Sequence, residues 1–391
     1  MSRWTKPAFA AAYSTAEMRE LARKRLPHGL FEYVDRGTGD ENARTYNRAS
    51  FDRIRLVPRV LRDVSQRHQR VELFGRTLES PLAISPTAAA GLLWYEGEIA
   101  LARAAKAAGI PFTLSTSSIT SMERVAEAAG DTELWFQLYM WPDRNMSYQL
   151  VERVREAGYK ALILTVDTPV LPLRPYNLRN GFGVPIRMTA RNTYDVARHP
   201  GWFLDVLVPH VRRHGMPRYE NYPKEFQAGL RQSKGAKPFA NPKNDRSTWQ
   251  ELRELRKHWK EPLMVKGILS AADALIAVDN GADAIIVSNH AGRNLDSLVS
   301  PMDVLPQIIE AVGARVPVLI DSGFSDGSDV VKALALGARC VMLGRPPLYG
   351  VSVGGQQGAQ RVLQLFRDDI ERTLGLLGCA DLSSLSREHL A

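Results

Sequence analysis

Residues 284–296 read Ala284-Ile285-Ile286-Val287-Ser288-Asn289-His290-Ala291-Gly292-Arg293-Asn294-Leu295-Asp296. The first four form a short apolar run of the kind a buried strand needs. A histidine and an arginine, three residues apart, therefore sit just past a strand's C-terminal end. Imidazole titrates near neutrality and can take a proton. Guanidinium presents a planar fork that matches a carboxylate. Taken alone, the stretch equally describes a surface loop with a capping histidine and a solvated arginine. What decides between the two is how the pattern recurs along the chain.

From residue 81 onward the same rhythm repeats: a short apolar strand, a polar or Gly-rich tip, an amphipathic helix. Strands are expected at 81–85, 112–115, 134–139, 161–167, 262–266, 284–288, 317–321 and 340–343, with helices between them and a long final helix over 356–377. Eight strand-then-helix units need a parallel sheet with crossover helices, and eight is the number that closes a (β/α)8 barrel. The fold class is thus α/β, a TIM barrel. A helical lead-in occupies residues 1–80, with helices expected at 15–25 and 26–34. A long insertion, about 171–248, follows the fourth strand. Each unit needs its neighbours to bury both sheet faces, so residues 1–391 are expected to form a single domain.

The chain has 391 residues, 45% of them hydrophobic, and a net charge of +9. That charge favours anionic partners: acid substrates, phosphates, anionic lipid or nucleic acid. Only Cys340 and Cys379 occur, so neither a disulfide framework nor a Cys-based zinc motif is visible, and no metal is expected. No signal-peptide core follows Met1, and no apolar run approaches the roughly 18 residues of a spanning helix. The expected location is cytoplasmic, with attachment to the inner face of the cell membrane left open.

Barrel active sites lie at the C-terminal ends of the strands. Here those ends carry Thr87, Ser115, Gln137 with Tyr139, Thr165 with Asp167, Lys266, Ser288 with His290 and Arg293, Asp321 with Gly323, and Gly344-Arg345. Any one could cap a helix or shape a turn. Caps need short acceptors, so Lys, Arg, Tyr and Gln at one mouth ask for another explanation. Gly323 and Gly344-Arg345 follow the seventh and eighth strands, where barrels commonly hold phosphate. A flavin suits this equipment, with Lys266 as the cation near its ring. No G-x-G-x-x-G follows the first strand, which weighs against a Rossmann site.

These residues carry a resemblance. Leu26-Pro27 through Tyr33, Ser85-Pro86-Thr87-Ala88, Phe136-Gln137-Leu138-Tyr139, Thr165-Val166-Asp167-Thr168-Pro169, Val265-Lys266-Gly267, Ser288 through Asp296, Asp321-Ser322-Gly323 and Leu343-Gly344-Arg345 resemble the FMN-dependent L-2-hydroxy acid dehydrogenase/oxidase family. The segment 110–116 and the region of Phe324 look nearest its mandelate and membrane-linked lactate branches. The resemblance implies FMN as cofactor. It implies that His290 removes a proton from substrate, with Asp167 supporting the imidazolium. Arg174 and Arg293 would hold the substrate carboxylate, and Tyr33 and Tyr139 would hydrogen-bond carboxylate and hydroxyl. Lys266 would sit at the flavin's reducible edge. Flavin contacts are implied for Pro86, Thr87, Ala88, Ser115, Gln137, Thr165, Ser288 and Asp321, with Gly323, Gly344 and Arg345 at the phosphate end. A homotetramer is implied too.

The chain departs from the family pattern in places. Ala291 stands where a glycine is usual, Pro172-Leu173-Arg174 replaces Gly-x-Arg, and Asn177 replaces an acidic residue. Ser325 stands where many members have an arginine near the phosphate, which leaves Arg345 as the expected principal phosphate cation. Ala88 lies where glycine also occurs beside the flavin.

Residues 183–245 are poor in helix and strand signal and carry eleven cations against five anions. Trp202-Phe203-Leu204 and Val206-Leu207-Val208 add apolar anchors. A basic segment with aromatics suits an anionic membrane surface; a loop covering the active site with a solvated basic face is the alternative. No nucleic-acid recognition fold is visible. The leading expectation is FMN-dependent oxidation of a mandelate-like or lactate-like L-2-hydroxy acid to the 2-oxo acid, with a quinone or other electron acceptor. An oxidase that reduces O2 and releases H2O2 is the second. A non-catalytic anion- or phosphate-binding or membrane-associated barrel is the third, and His290, Arg293, Lys266 and Tyr139 together argue against it.

Overall fold

The barrel strands are almost continuously apolar because both faces of each are covered. In the computed structural model, which describes residues 7–181, 189–223 and 246–391, these strands are β3 (Leu82–Thr87), β4 (Phe112–Ser115), β5 (Leu134–Leu138), β6 (Ala161–Thr165), β7 (Leu263–Ile268), β8 (Ala284–Val287), β9 (Val318–Ile320) and β10 (Cys340–Leu343). All neighbours are parallel, and β10 pairs with β3 to close the barrel. The eight-stranded α/β barrel and its insertion are as the sequence predicts.

Side chains alternate between the two faces of a strand. Ala83, Trp135, Ile163, Met264, Ile286, Leu319 and Met342 form one buried cluster, the barrel interior. Moving two residues toward each C-terminal end gives Ser85, Gln137, Thr165, Lys266, Ser288, Asp321 and Gly344. The apolar plug therefore changes into a polar layer at the mouth. The opposite end is closed by an antiparallel hairpin, β1 (Val71–Leu73) and β2 (Arg76–Leu78), whose Val71, Leu73 and Leu78 join the interior cluster. Sequence patterning passed over this hairpin because each strand is only three residues long.

The lead-in is helical, as expected, with α1 (Thr15–Arg25) capped by Ser14, then α2 (His28–Asp35), and a third helix the pattern did not show, α3 (Asn42–Arg53). Asp296, the last residue of the β8 tip, accepts from the backbone N–H groups of Asp40 and Ala43 and so fastens α3 to the mouth. The barrel helices are α4 (Gly97–Ala108), α5 (Met122–Ala129), α6 (Arg144–Glu156), then α11 (Trp249–His258), α12 (Ala271–Asp279), α13 (Pro301–Val312), α14 (Gly327–Ala335) and α15 (Arg345–Leu377). Helix α15 starts eleven residues before the expected position and is kinked at Gly354 and Gly355. A Cβ on Gly355, at φ +55°, would lie 2.6 Å from the Trp94 indole nitrogen, so the kink admits close packing of that ring.

The insertion corrects the expectation of a segment poor in helix. It contains α7 (Pro175–Asn180), α8 (Ala190–Ala197), and a continuous run of α9 (Pro200–Trp202), a π turn (Phe203–Leu207) and α10 (Val208–His214). It also corrects the reading of its apolar residues. Trp202 is 1% exposed and donates its indole N–H to the Leu92 carbonyl at 2.7 Å; Val206 is buried too. Phe203 and Leu204 face outward. The cations Arg187, Lys224, Arg231, Lys234, Lys237 and Lys243 lie outside the described residues. No helix among the described residues is long and apolar enough to cross a membrane.

Candidate active site

His290 stands at the tip of β8, where His290, Ala291 and Gly292 have φ of +56°, +55° and +70°. Three consecutive left-handed residues turn the chain sharply, and such strain gathers at sites where the geometry is over-determined. Gly292 has no alternative: a Cβ there would meet the Arg44 amide nitrogen at 2.9 Å. Ala291, where the family usually has glycine, adopts the left-handed region at φ +55°.

The turn delivers His290 Nδ1 to 2.9 and 3.0 Å from the two carboxylate oxygens of Asp167, two residues past β6. Burial pushes the Asp167 carboxyl up, but the charge and hydrogen bond of His290, with Lys266 nearby, hold it down at about 2. Asp167 is thus a fixed anion behind the imidazole. Thr168 and Asn294, both within quoted motifs but not singled out from sequence, complete its support: the Thr168 hydroxyl donates to Asp167 at 3.0 Å, and Asn294 Nδ2 donates to the Asp167 carbonyl at 2.7 Å.

Lys266 Nζ lies 2.9 Å from Asp321 and 2.8 Å from the Ser288 hydroxyl. Burial alone would lower its pKa, yet the Asp321 and Asp167 charges leave it raised. It is a cation in the polar layer at the barrel mouth. Ser115 donates to Gln137 Oε1 at 3.1 Å, leaving Gln137 Nε2 buried with no hydrogen-bond partner among the described residues. The Thr165 hydroxyl is in the same position. Pro86 and Thr87 end β3 and Ala88 follows, all half-buried at the rim.

Three arginines gather on the other side. Arg174 donates through Nε and Nη2 to the Arg293 carbonyl at 3.2 and 3.1 Å. Arg293 donates to the Arg36 carbonyl at 2.7 Å, and its guanidinium lies 5.6 Å from the centre of the Tyr33 ring. Arg345 reaches the carbonyls of Val34, Ala291 and Arg36 at 3.1–3.2 Å. Pro172 therefore does not carry Arg174 out of the site. Burial, with the Arg293 charge second, pushes both Arg174 and Arg345 down to about 10. None of the three, all half-buried, pairs with a carboxylate among the described residues, so the cluster favours an anion.

At the end expected to hold phosphate, the Arg345 guanidinium bonds lead-in and β8-tip carbonyls. Ser325 gives its hydroxyl to Asp329, and Arg48 of α3 bonds both the Gly323 carbonyl, at 2.9 Å, and Asp329. Gly323 itself, at φ +90°, packs against Asn47 and Phe51.

Tyr139 lies within the field of Asp167 and Arg174; burial first, and the Asp167 charge next, push its phenol up. Two tyrosines that sequence reasoning missed join it. Burial, with Tyr33 and Tyr222 adding to it, pushes Tyr219 well up, and Tyr222 is raised likewise by burial. Both descend from the insertion, whose aromatics offered no periodic signal.

An eight-stranded α/β barrel with a His–Asp pair, a buried lysine and an arginine cluster at its C-terminal mouth defines an oxidoreductase-type site for a small anion. The comparisons narrow this. The family model for FMN-dependent dehydrogenase matches residues 22–391. The chain is 43% identical to (S)-mandelate dehydrogenase of Pseudomonas putida over 97% of its own length and 93% of the relative's. It is 39% identical to an L-lactate oxidase of a Nostoc species, covering 98% and 99%. The crystal structure of the monotopic membrane protein (S)-mandelate dehydrogenase superposes with a TM-score of 0.90 at 42% identity, over 97% and 99% of the two chains. The chain belongs to the FMN-dependent dehydrogenase family, whose members are 2-hydroxy acid dehydrogenases and oxidases, and its chemistry is FMN-dependent oxidation of a 2-hydroxy acid.

The residues present fit FMN. Gln137 Nε2 and the Thr165 hydroxyl are buried polar atoms awaiting partners. A Cβ built on Gly344 would meet nothing nearer than Ser85 Cβ at 3.9 Å, so the cradle beside the eighth strand is open.

Proposed function

We propose that the chain is a dehydrogenase of an L-2-hydroxy acid, mandelate-like or lactate-like, that passes electrons to a quinone or other membrane-linked acceptor. The observation that supports it is the His290–Asp167 pair at one mouth with three arginines that have no carboxylate partner among the described residues. Bound FMN supplies a two-electron acceptor at the substrate Cα. The substrate carboxylate lies between Arg174 and Arg293, with Tyr33 beside it. Tyr139 hydrogen-bonds the substrate. With Nδ1 turned to Asp167, His290 takes the substrate proton at Nε2, and the Asp167 anion stabilises the imidazolium that results. Ser115, Gln137, Thr165, Ser288, Lys266 and Asp321 line the flavin, Pro86, Thr87 and Ala88 edge it, and Gly323, Gly344 and Arg345 close its phosphate end. Lead-in, barrel and insertion work as one unit, residues 1–391, in a homotetramer.

The test is anaerobic reduction of the bound flavin by a panel of L-2-hydroxy acids. Bleaching with L-mandelate or L-lactate is expected; an oxidised spectrum that no acid changes sinks the reading. The same site on an oxidase would return electrons to O2, and the similarity to an L-lactate oxidase supports that second reading. Stoichiometric peroxide on reoxidation in air would replace the dehydrogenase by the oxidase.

A peripheral seat on an anionic membrane, at the inner face, goes with the dehydrogenase reading. It is supported by outward-facing Phe203 and Leu204 (60% exposed) beside exposed Arg198, Arg212 and Arg213. The monotopic membrane relative points the same way. Co-sedimentation with anionic vesicles should be lost in a Leu204→Asp, Arg212→Glu variant; undiminished binding removes this face as the seat.

A further inference from the structure

Helix α2 cannot cap its own N-terminus: its N-cap position is Pro27, whose side chain offers no acceptor. A helix leaves its first backbone N–H groups without partners of its own, and one of eight residues is too short to hold itself. The insertion supplies the partners. Asp195, in α8, accepts from the His28 N–H at 3.0 Å with one carboxylate oxygen and from the Gly29 N–H at 3.1 Å with the other. A negative charge there also suits the helix dipole. Asp195 is itself braced within the insertion, with His199 Nδ1 2.8 Å from its carbonyl and 3.5 Å from its Oδ1. Two more contacts from the insertion reach α2: Asn180 Nδ2 donates to Glu32, and the Tyr176 hydroxyl donates to the Arg36 carbonyl at 3.3 Å.

The other end of α2 frames the arginine cluster. The Val34 and Arg36 carbonyls accept from Arg293 at 3.4 and 2.7 Å, and each accepts from Arg345 at 3.2 Å. Tyr33 puts its ring 5.6 Å from the Arg293 guanidinium. Tyr33 follows His28 by little more than one helical turn, so the place of the first turn decides the place of the ring. We infer that Asp195 is a positioning residue for the substrate carboxylate: by capping α2 from the insertion it sets where Tyr33 and Arg293 stand. This rests on the 2-hydroxy acid reading above and deepens it. Asp195 acts through α2, while the His290–Asp167 pair joins the β8 and β6 tips. The carboxylate keeps its charge throughout the reaction, so loosening its holders weakens binding without slowing the chemical step.

The experiment uses the FMN-loaded protein. Dissociation constants for L-lactate and L-mandelate come from the concentration dependence of anaerobic flavin bleaching. That for pyruvate, which has no Cα hydrogen to lose, comes from perturbation of the flavin spectrum. Asp195→Ala should weaken all three by about threefold to tenfold, the scale of a lost cap, with the limiting rate of reduction within about twofold of the parent. Asp195→Asn keeps one acceptor oxygen and should fall between; it also serves where Asp195→Ala does not fold. Hydrogen exchange over residues 28–36 should quicken in both variants. Asp205→Asn, which weakens the insertion's ion pair with Arg25 of α1 and leaves α2 capped, should change none of these readings. Unchanged dissociation constants in Asp195→Ala, a limiting rate that falls as far as the affinity, or an equal effect of Asp205→Asn overturns the inference, as does a parent protein that binds none of the three acids. If no acid bleaches the flavin but pyruvate binds, the reading of the reaction fails instead, and pyruvate affinity with hydrogen exchange decides the role of Asp195.

Discussion

His290 Nδ1 lies 2.9 Å from one Asp167 oxygen and 3.0 Å from the other, so a single carboxylate faces the imidazole with both oxygens. The pair joins the ends of β8 and β6, two strands separated by β7 in the barrel. Asp167→Asn should keep the imidazole placed while removing the charge that stabilises its protonated form. The rate of anaerobic flavin reduction is expected to fall by about 10² to 10⁴, the range for a general base deprived of its partner. A loss below tenfold would mean that His290 does not take the proton.

The same carboxyl links stability to pH. Its folded-state value is about 2, below the roughly 3.9 of an unfolded aspartate. A depressed carboxyl stabilises the fold at every pH above the unfolded value, and the contribution disappears as pH falls through the folded value. The stability gap between parent and Asp167→Asn should therefore be constant above about pH 5 and close between about pH 4 and 2. Urea unfolding across that window measures it; a gap that widens on acidification contradicts the assignment.

Lys266 and Asp321 are both buried, 2.9 Å apart. Lys266→Met leaves an uncompensated buried carboxylate and should cost about 3–5 kcal/mol. Adding Asp321→Asn should return most of that loss, because the pair rather than either charge satisfies this buried layer. The double-mutant cycle in urea reads the coupling, and strict additivity would show the two groups to be independent.

Arg174 grips the Arg293 carbonyl through two nitrogens. Arg174→Leu should raise KM for the hydroxy acid about 100-fold, and Arg174→Lys about 10-fold, since lysine keeps the charge but not the fork. Steady-state kinetics check it. An unchanged KM in Arg174→Leu places the carboxylate elsewhere.

Ala291 holds φ +55°. A non-glycine residue there costs about 1–2 kcal/mol, offset in the glycine variant by about 0.4–1 kcal/mol of unfolded-chain entropy. Ala291→Gly should thus stabilise the protein by about 0.5–1 kcal/mol. A raised urea midpoint is expected; a lowered one would show that the methyl group contributes packing that outweighs the strain.

Much of the site was legible because a strand has a period of two. Once eight strands are counted, Ser85, Gln137, Thr165, Lys266, Ser288 and Asp321 must share the inner face of the barrel, and Tyr139, Asp167 and His290 continue the same parity just past the strands. What stayed hidden had no such period. The hairpin β1–β2 and helix α3 are set by packing against the barrel floor and by Asp296, not by local pattern. Trp202 looked like a surface anchor, and its burial follows from one long-range bond to Leu92.

The sequence by itself determined the barrel and its polar mouth, because periodic burial is a local property written into every strand; the pairing of His290 with Asp167 was implied by the family resemblance alone. Only the tertiary structure decided where Arg345 points and that Tyr222 meets Ser117. The first follows from which lead-in carbonyls lie against α15. The second joins residues 105 apart in sequence. No local preference encodes a contact of that length; it exists because the insertion folds back and its backbone is bonded to the β4 tip.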